Sequence, residues 1–318
     1  MNIQSIDRRE FLAAGSATLA SAALANAALG ATLSSSAANS GAMPLGDIRV
    51  NRLGFGAMRI TGDGIWGEPA DARTARAVLR RALDLGVNFI DTADAYGPKV
   101  SERLIAEALH PYTAGLIIAT KGGMVRSGPN QWERDARPEH LRTACEASLQ
   151  RLKLSRIDVY QLHAVDPTVP LEDSIGELAR LQSAGKIRHI GVSNFSVEQL
   201  QRAQKLIKVV SVQNRYNVAD RNSDDVLHFC ERENIAFIPW SPLAQRQQAA
   251  GTGSGPIAAL QRVAAQRHIS LSQATLAWLL ARSPVMLPIP GTSSLAHLED
   301  NVAAASIHLT TSEMALVG

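Results

Sequence analysis

Aromatic residues are scarce in this chain of 318 residues, in which Phe, Trp and Tyr together make up 4%. So low a content argues against a surface on which nucleic-acid bases stack. A surplus of one charge is also lacking, because 32 Lys and Arg residues stand against 29 Asp and Glu residues. No basic stripe interleaved with aromatic residues occurs, so the composition gives no reason to expect a nucleic-acid partner.

Cysteine is nearly absent as well, since Cys145 and Cys230 are the only two in the chain. Both stand at apolar positions of predicted helices, and neither belongs to a CxxC pair or a Cys/His cluster with the spacing of metal ligands. A structural zinc site is therefore not expected, and no metal is predicted elsewhere. Hydrophobic residues make up 46% and charged residues 19%, an ordinary balance for a globular protein.

Long apolar runs are missing after residue 43, so no membrane span is predicted in that part of the chain. The N-terminus differs, because Arg8 and Arg9 precede an uncharged stretch rich in Ala, Leu and Ser that continues to about residue 40. This pattern resembles a twin-arginine export signal, with residues 25–27 as the candidate cleavage site. A membrane anchor or a disordered Ala-rich tail is the alternative.

These features predict an export signal or disordered segment over residues 1–42 and a single domain over residues 43–318. The expected location is periplasmic or exported, with the cytoplasm as the alternative.

From residue 53 onward, short apolar runs alternate with amphipathic segments. The runs are nearly continuous, as expected for strands of a parallel sheet that is buried on both faces. Eight strand–helix units in about 260 residues predict a (β/α)₈ barrel. The predicted strands are LGFGAM, NFID, GLIIATK, RIDVYQLH, IRHIGVS, VVSVQN, IAFIPW and VMLPIP. The predicted helices cover residues 71–85, 101–109, 138–152, 171–183, 197–205, 224–233, 257–266, 271–281 and 295–304.

The alternative fold is an open, doubly wound sheet with a glycine-rich first turn. Gly54 and Gly56 lack the third glycine of the dinucleotide-binding fingerprint, so the barrel is favoured. Residues 43–52 are expected to form a cap on the closed end of the barrel. In the barrel order, the helices of Cys145 and Cys230 lie three positions apart, too far for a disulfide. We therefore predict two free thiols.

Ionisable side chains follow three neighbouring strands of the predicted barrel, where each strand ends. Asp91 ends the second strand, Lys121 the third and His163 the fourth, while Tyr96 lies on the loop beyond Asp91. Because neighbouring strands lie about 4.8 Å apart and share one rim, we expect these side chains to converge. Singly, each has an ordinary structural explanation as a turn cap, a solvated charge, a packed imidazole or loop packing. Their convergence favours a functional site.

The four residue types suit the reduction of a carbonyl group. A phenol with a pKa near 10 is a poor acid at neutral pH. We expect Lys121 to lower the pKa of Tyr96, and Asp91 to keep Lys121 charged and oriented. The imidazole of His163 can donate a hydrogen bond to a carbonyl oxygen. None of these groups supplies hydride, so a cofactor is required.

From about residue 50 to its end, the chain resembles the aldo-keto reductases, and it looks most like a bacterial branch that includes pyridoxal reductases. The matching motifs are DTADAYG, ATK, the His after the fourth strand, GVSNF, VQNRYN, PWSPLA and PIPGTSSLAHLEDN. The resemblance implies that Asp91, Tyr96, Lys121 and His163 are the catalytic residues, with Tyr96 as the acid. It also implies that a small aldehyde or ketone is reduced to the alcohol by NADPH, with NADH as the other candidate.

The same resemblance implies a nicotinamide cofactor bound in an extended form across the barrel mouth. Ser193, Asn194 and Gln213 would hold its carboxamide, and Trp240 would stack on its nicotinamide ring. The other cofactor-binding residues implied are Ala57, Met58, Ser241, Pro242, Leu243, Ala244, Gly291, Ser293, His297, Asp300 and Asn301. The structural alternatives are that WSPLA is a simple turn and that LEDN merely ends a surface helix.

The choice between NADPH and NADH depends on the segment after PIPG, where NADPH-preferring members often place Lys or Arg. This chain offers Thr292, Ser293, Ser294 and His297 there, and Arg246 from another loop is a candidate helper.

Trp66 and Trp132 are expected to be walls of the substrate pocket, with simple packing as the alternative. Two rival functions stay open, an NAD-dependent sugar or alcohol dehydrogenase and a cofactor-bound regulatory or binding subunit of the same fold.

Overall fold

The computed structural model describes residues 36–243 and 255–318. Of the segment predicted over residues 1–42, residues 1–35 lie outside the described residues, and so do Ala244 and Arg246, whereas Ala37–Ser40 form a 3₁₀-helix. Ser36–Gly318 form one compact unit. Among the described residues, no helix combines the length and the apolar character needed to traverse a bilayer.

An antiparallel hairpin of β1 (Ala42–Leu45) and β2 (Ile48–Asn51) covers the amino-terminal ends of later strands. Asp47, in its turn, accepts hydrogen bonds from Arg188 at 2.8 Å, and it contacts the His189 ring at 2.5 Å. Asn51 N donates to Asn88 Oδ1 at 2.8 Å. This hairpin is the predicted cap on the closed end.

The parallel sheet at the centre of the structure keeps its strands in chain order. The strands after β2 are β3 (Phe55–Gly56), β4 (Phe89–Asp91), β5 (Ile117–Gly122), β6 (Met124–Gly128), β7 (Gln131–Arg134), β8 (Ile157–Leu162), β9 (Ile187–Ser193), β10 (Val209–Arg215) and β11 (Ala236–Trp240). Within the described residues, all of these except β6 and β7 belong to the parallel sheet. Every residue of β5 is buried, as expected for a strand covered on both faces. The predicted (β/α)₈ barrel is confirmed.

Residues 285–288 close the barrel between β11 and β3. Leu287 N donates to Phe237 O at 2.9 Å on one side, and Gly54 N donates to Pro288 O at 3.0 Å on the other. This segment was predicted as the eighth strand, but it forms an isolated parallel bridge instead of a regular strand. The physical reason is that Pro288 carries no amide hydrogen and so interrupts the ladder.

The predicted helices all form, and each end lies within one residue of its predicted position. In the described residues the α-helices are α1 (Ala72–Asp84), α2 (Val100–Leu109), α3 (Pro138–Leu152), α4 (Leu171–Ser183), α5 (Val197–Gln204), α6 (Asp224–Glu233), α7 (Pro256–Arg267), α8 (Leu271–Arg282), α9 (Leu295–Ala303) and α10 (Thr311–Val317). The last was not predicted, although the capping box of Thr310 and Glu313 that begins it is visible in the sequence.

A second hairpin, β6–β7, follows β5 at the carboxyl end of the barrel and was also not predicted. Its strands are short, and its turn includes Asn130 in the left-handed conformation with φ of 57°. The sequence signal for it is Gly128, Pro129 and Asn130, which are residues typical of turns. The hairpin carries Arg126 and Trp132 to the barrel mouth.

Cys145 in α3 and Cys230 in α6 are both buried and free in the described structure, as predicted. Burial raises the pKa of each thiol to about 12. Both side chains are therefore neutral, unreactive parts of the apolar core at physiological pH.

Candidate active site

Asp91, Tyr96 and Lys121 form one buried hydrogen-bonded chain at the carboxyl end of the barrel. Lys121 Nζ donates to Asp91 Oδ1 at 2.6 Å and to Tyr96 Oη at 3.1 Å. It also donates to Thr92 O at 2.8 Å, so all three ammonium hydrogens have partners. The His163 ring lies edge-on to the Tyr96 ring, with 5.8 Å between their centroids. The structure therefore brings the four predicted residues together.

Local backbone structure places each of these side chains. Asp91 pairs with Ala119 in the sheet, so Lys121 lies two residues further along β5 and reaches back to the carboxylate. Tyr96 is carried on the loop that links β4 to α2. His163 N donates to Gly122 O at 2.9 Å, which continues the β5–β8 pairing to the rim.

A pair of amides holds the second oxygen of Asp91. Gln161 Nε2 and Gln213 Nε2 each donate to Asp91 Oδ2 at 2.9 Å. Gln161 was missed in the sequence, although it is a polar residue near the end of β8 and pairs with Lys121. The two amides fix the carboxylate, and hence the position of the lysine.

The charge states follow from burial and from the close neighbours. Burial alone would lower the pKa of Lys121, but Asp91 and Tyr96 together raise it above its usual value, so the ammonium form persists. Burial raises the pKa of Tyr96 above 10, and this outweighs the opposing effect of Lys121. Lys121 therefore acts in the expected direction, but its effect on the Tyr96 pKa is smaller than that of burial, and the net shift is upward because the phenol is desolvated.

Burial, together with the charges of Lys121 and Arg126, lowers the pKa of His163 well below its ordinary value. The imidazole is therefore neutral at physiological pH. Its Nδ1 is buried and has no hydrogen-bond partner among the described residues. The site thus combines a neutral imidazole, a protonated phenol and a charged ammonium.

Four predicted cofactor residues lie in one network beside this group, at the ends of β9, β10 and β11. Trp240 Nε1 donates to Asn194 Oδ1 at 3.0 Å, and Asn194 Nδ2 donates to Ser193 Oγ at 3.0 Å. Ser193 Oγ donates to Gln213 O at 2.9 Å. Asn194 Nδ2 also donates to His163 O at 3.1 Å, which joins the network to the buried group.

The predicted residues of the adenosine end have differing environments. The backbones of Gly56 and Gly291 touch, and a Cβ on either glycine would collide with the other segment. Ser293 and His297 are exposed, at the beginning of α9. Asp300 is not free, because its Oδ2 accepts a hydrogen bond from Ser270 at 2.7 Å.

The other predicted residues are distributed along the same rim. Ala57 and Met58 begin the 3₁₀-helix Ala57–Ile60 that directly follows β3. Pro242 and Leu243 are buried beyond β11, Ser241 is exposed with φ of 57°, and Asn301 is buried in α9. Ala244, as noted, is outside the described part of the chain.

Trp66 and Trp132 are both half-buried at the mouth. Trp132 lies edge-on to Tyr96, with ring centroids 6.3 Å apart, and to His163, with centroids 6.1 Å apart. Trp66 lies farther out, and the guanidinium of Arg126 is 5.8 Å from its ring. Arg126 was missed in the sequence, where nothing distinguishes it from a solvated arginine.

A profile of the aldo/keto reductase family matches residues 52–318. An uncharacterized oxidoreductase of Schizosaccharomyces pombe is 50% identical over 275 residues, which cover 86% of this chain and 88% of that protein. Pyridoxine 4-dehydrogenase of Escherichia coli is 42% identical over 280 residues, covering 86% of this chain and 95% of that protein. The chain therefore belongs to the aldo/keto reductase family and is an NAD(P)H-dependent oxidoreductase.

Solved structures agree with this assignment. The crystal structure of an aldo-keto reductase from Klebsiella pneumoniae in complex with NADPH superposes with a TM-score of 0.70. Its sequence is 28% identical, and the match covers 85% of this chain and 90% of that one.

Proposed function

We propose that this protein reduces small aldehydes and ketones to alcohols with NADPH, and that Tyr96 donates the proton. The observation that carries the proposal is the buried chain Asp91–Lys121–Tyr96 beside the neutral His163. A phenol that stays protonated at neutral pH is available as an acid, and it needs a nearby cation to stabilise the phenolate that it leaves. Lys121 is that cation.

Each of the four side chains has a distinct part in this mechanism. Neutral His163 hydrogen-bonds the substrate oxygen and orients it toward Tyr96. Lys121 stabilises the phenolate as the proton leaves, and Asp91 keeps the ammonium charged and in place. The cofactor, when bound, supplies the hydride to the carbonyl carbon.

The residues present fit a nicotinamide cofactor. Gln213 uses its amide nitrogen on Asp91, which leaves its carbonyl oxygen to accept from a carboxamide. Because Gly56 and Gly291 have no side chains, the backbone can be approached closely at the seam, where β3 meets the segment that closes the barrel.

The adenosine end offers partners for the 2′-phosphate of NADPH. The exposed Ser293 and His297 lie at the beginning of the nine-residue helix α9, the end of a helix that favours a phosphate. Arg59 adds a positive charge, because its Cγ lies 3.6 Å from the position that a Cβ on Gly291 would occupy. Arg59 was missed in the sequence, since it precedes Gly291 by more than two hundred residues.

The proposed substrate is a small aromatic aldehyde. Trp132 provides an aromatic wall next to Tyr96 and His163, and Trp66 adds a second ring farther out at the mouth. Flat rings favour edge-on or offset contacts with such walls. Pyridoxal is the first compound to test, because one relative is a pyridoxine 4-dehydrogenase. That relative also keeps the rival open, an alcohol dehydrogenase that works in the oxidative direction.

Steady-state rates should be measured with NADPH, NADH, NADP and NAD on pyridoxal, benzaldehyde, propanal and the corresponding alcohols. We expect the highest kcat/KM for NADPH with an aromatic aldehyde. Faster oxidation of alcohols with NAD would contradict the proposed direction and cofactor. Tight cofactor binding without multiple turnover would instead favour a regulatory or binding subunit.

We also propose that the twin arginines, Arg8 and Arg9, direct export of the folded protein. The route carries folded proteins, so the chain can leave the cytoplasm with cofactor already bound. It would then not need to bind a nicotinamide cofactor outside the cytoplasm, where such cofactors are scarce. Replacing both arginines with lysine should retain the protein in the cytoplasm, as measured by cell fractionation. Finding the unaltered full-length protein only in the cytoplasm would overturn the proposal.

A further inference from the structure

Arg126, in β6, uses all five of its guanidinium hydrogens on backbone carbonyl oxygens. Its Nε donates at 2.7 Å, its Nη1 at 2.8 Å and 3.1 Å, and its Nη2 at 2.9 Å and 3.2 Å. In that order, the accepting carbonyls belong to Gln131, Ile65, Ala95, Gly64 and Gly128. Arginine is the one side chain with five N–H donors, and its planar guanidinium can direct them to five acceptors.

These carbonyls belong to three separate segments of the barrel mouth. One segment follows β3, another follows β4, and the third is the β6–β7 hairpin itself. A single half-buried side chain therefore links three loops, and the farthest acceptor lies 62 residues before Arg126 in the chain. Such loops are otherwise the most mobile part of a barrel.

The same guanidinium lies against the two indole rings of the mouth. Its Cζ is 3.8 Å from the centroid of the Trp132 ring and 5.8 Å from that of Trp66. The first distance is that of a close cation–π contact. Since Trp132 is edge-on to Tyr96 and His163, Arg126 contacts a ring that borders the proposed reacting groups.

No carboxylate in the described part of the chain forms an ion pair with Arg126. The hydrogen-bond acceptors of Arg126 are neutral carbonyl oxygens. The positive charge of Arg126 acts on the site, because it contributes to the lowered pKa of His163. A side chain that only linked loops would not need to contact Trp132, the ring that borders His163. The placement indicates a role in the pocket as well as in the loops.

We propose that Arg126 is a positioning residue that determines substrate choice: it holds Trp132 as a fixed wall beside Tyr96 and His163, so the pocket prefers carbonyl compounds with a flat aromatic ring over aliphatic ones. The inference rests on the proposed function, because it places the substrate carbonyl between Tyr96 and His163. A rigid wall favours rings of matching shape, since little freedom is lost on binding.

The test compares benzaldehyde with propanal in the variants Arg126→Lys and Arg126→Met. Lysine keeps the charge but loses the five-donor fork, and methionine loses both. We expect KM for benzaldehyde to rise about tenfold in both variants, and the ratio of kcat/KM for benzaldehyde to kcat/KM for propanal to fall about tenfold. Arg134→Lys is the matched control, because Arg134 is an exposed arginine of the same hairpin. It should behave like the unaltered protein.

An equal fall in kcat/KM for both aldehydes, or no fall for either, would overturn the proposal. Trp132→Leu supplies a second route if the Arg126 variants fail to fold, and it should show the same selective loss for benzaldehyde.

A readout independent of turnover separates this inference from the proposed function. Binding of benzamide and acetamide, neither of which is reduced, can be measured by calorimetry in the presence of NADP. Arg126→Lys should weaken benzamide binding about tenfold and leave acetamide unchanged. That result would support the wall even if the protein failed to reduce either aldehyde, and unchanged benzamide binding would refute it.

Discussion

Replacing Tyr96 with Phe is expected to lower kcat for aldehyde reduction about a thousandfold, while the Kd of NADPH changes by less than about twofold. Phenylalanine keeps the ring that packs against Trp132 and His163, and it removes only the hydroxyl group. Lys121 loses one hydrogen bond but retains those to Asp91 and to Thr92 O. The variant therefore loses the proton donor but keeps the shape of the site.

Single-turnover and steady-state rates, with NADPH fluorescence for binding, measure the two quantities separately. Tyr112→Phe is the matched control, because the Tyr112 hydroxyl donates to Leu152 O at 2.6 Å on the outside of the barrel. It should retain full activity. A Tyr96→Phe variant with undiminished kcat would refute the proposed acid.

Replacing Lys121 with Met is expected to have the largest effect on stability. Asp91 would remain buried without its cation, and breaking a buried ion pair in this way costs about 3–5 kcal/mol of the free energy of unfolding. We also expect kcat to fall at least about a hundredfold, since the phenolate of Tyr96 would lose its stabilising charge. Denaturant unfolding and steady-state rates measure the two effects.

The double variant Lys121→Met, Asp91→Asn separates stability from catalysis. Asparagine is uncharged, and its single oxygen can still accept from Gln161 and Gln213. The double variant should therefore recover most of the lost free energy of unfolding while kcat stays low. If activity returned together with stability, Lys121 would have no direct part in the reaction.

The helices and the convergence of the site could be predicted because both depend on local pattern. Amphipathic periodicity locates helix ends to within a residue, and strand ends at one rim bring Asp91, Lys121 and His163 together without knowledge of any contact. The free thiols of Cys145 and Cys230 follow from the same barrel order. These features are consequences of topology.

Properties that depend on how deeply a group is buried, or on the rotamer of a single side chain, could not be predicted. The net upward shift of the Tyr96 pKa could not be predicted, because a sequence shows which charges are near but not how completely the phenol is desolvated. In the sequence Arg126 looks like one surface arginine among many, and its five acceptors come from its own hairpin and from two distant loops. The eighth strand was overstated because the apolar pattern of VMLPIP outweighed the missing amide hydrogen of Pro288.

The segment that closes the barrel leads directly into Gly291, whose backbone packs on Gly56 at the other side of the seam. A cofactor bound across this seam would belong to the folded state alone, so occupancy and closure are thermodynamically linked. At a cofactor concentration one hundred times its Kd, that linkage adds about 2.7 kcal/mol to the free energy of unfolding. The supply of cofactor would then govern the lifetime of the protein as well as its rate, and a molecule exported in the loaded state would carry its own stabiliser with it.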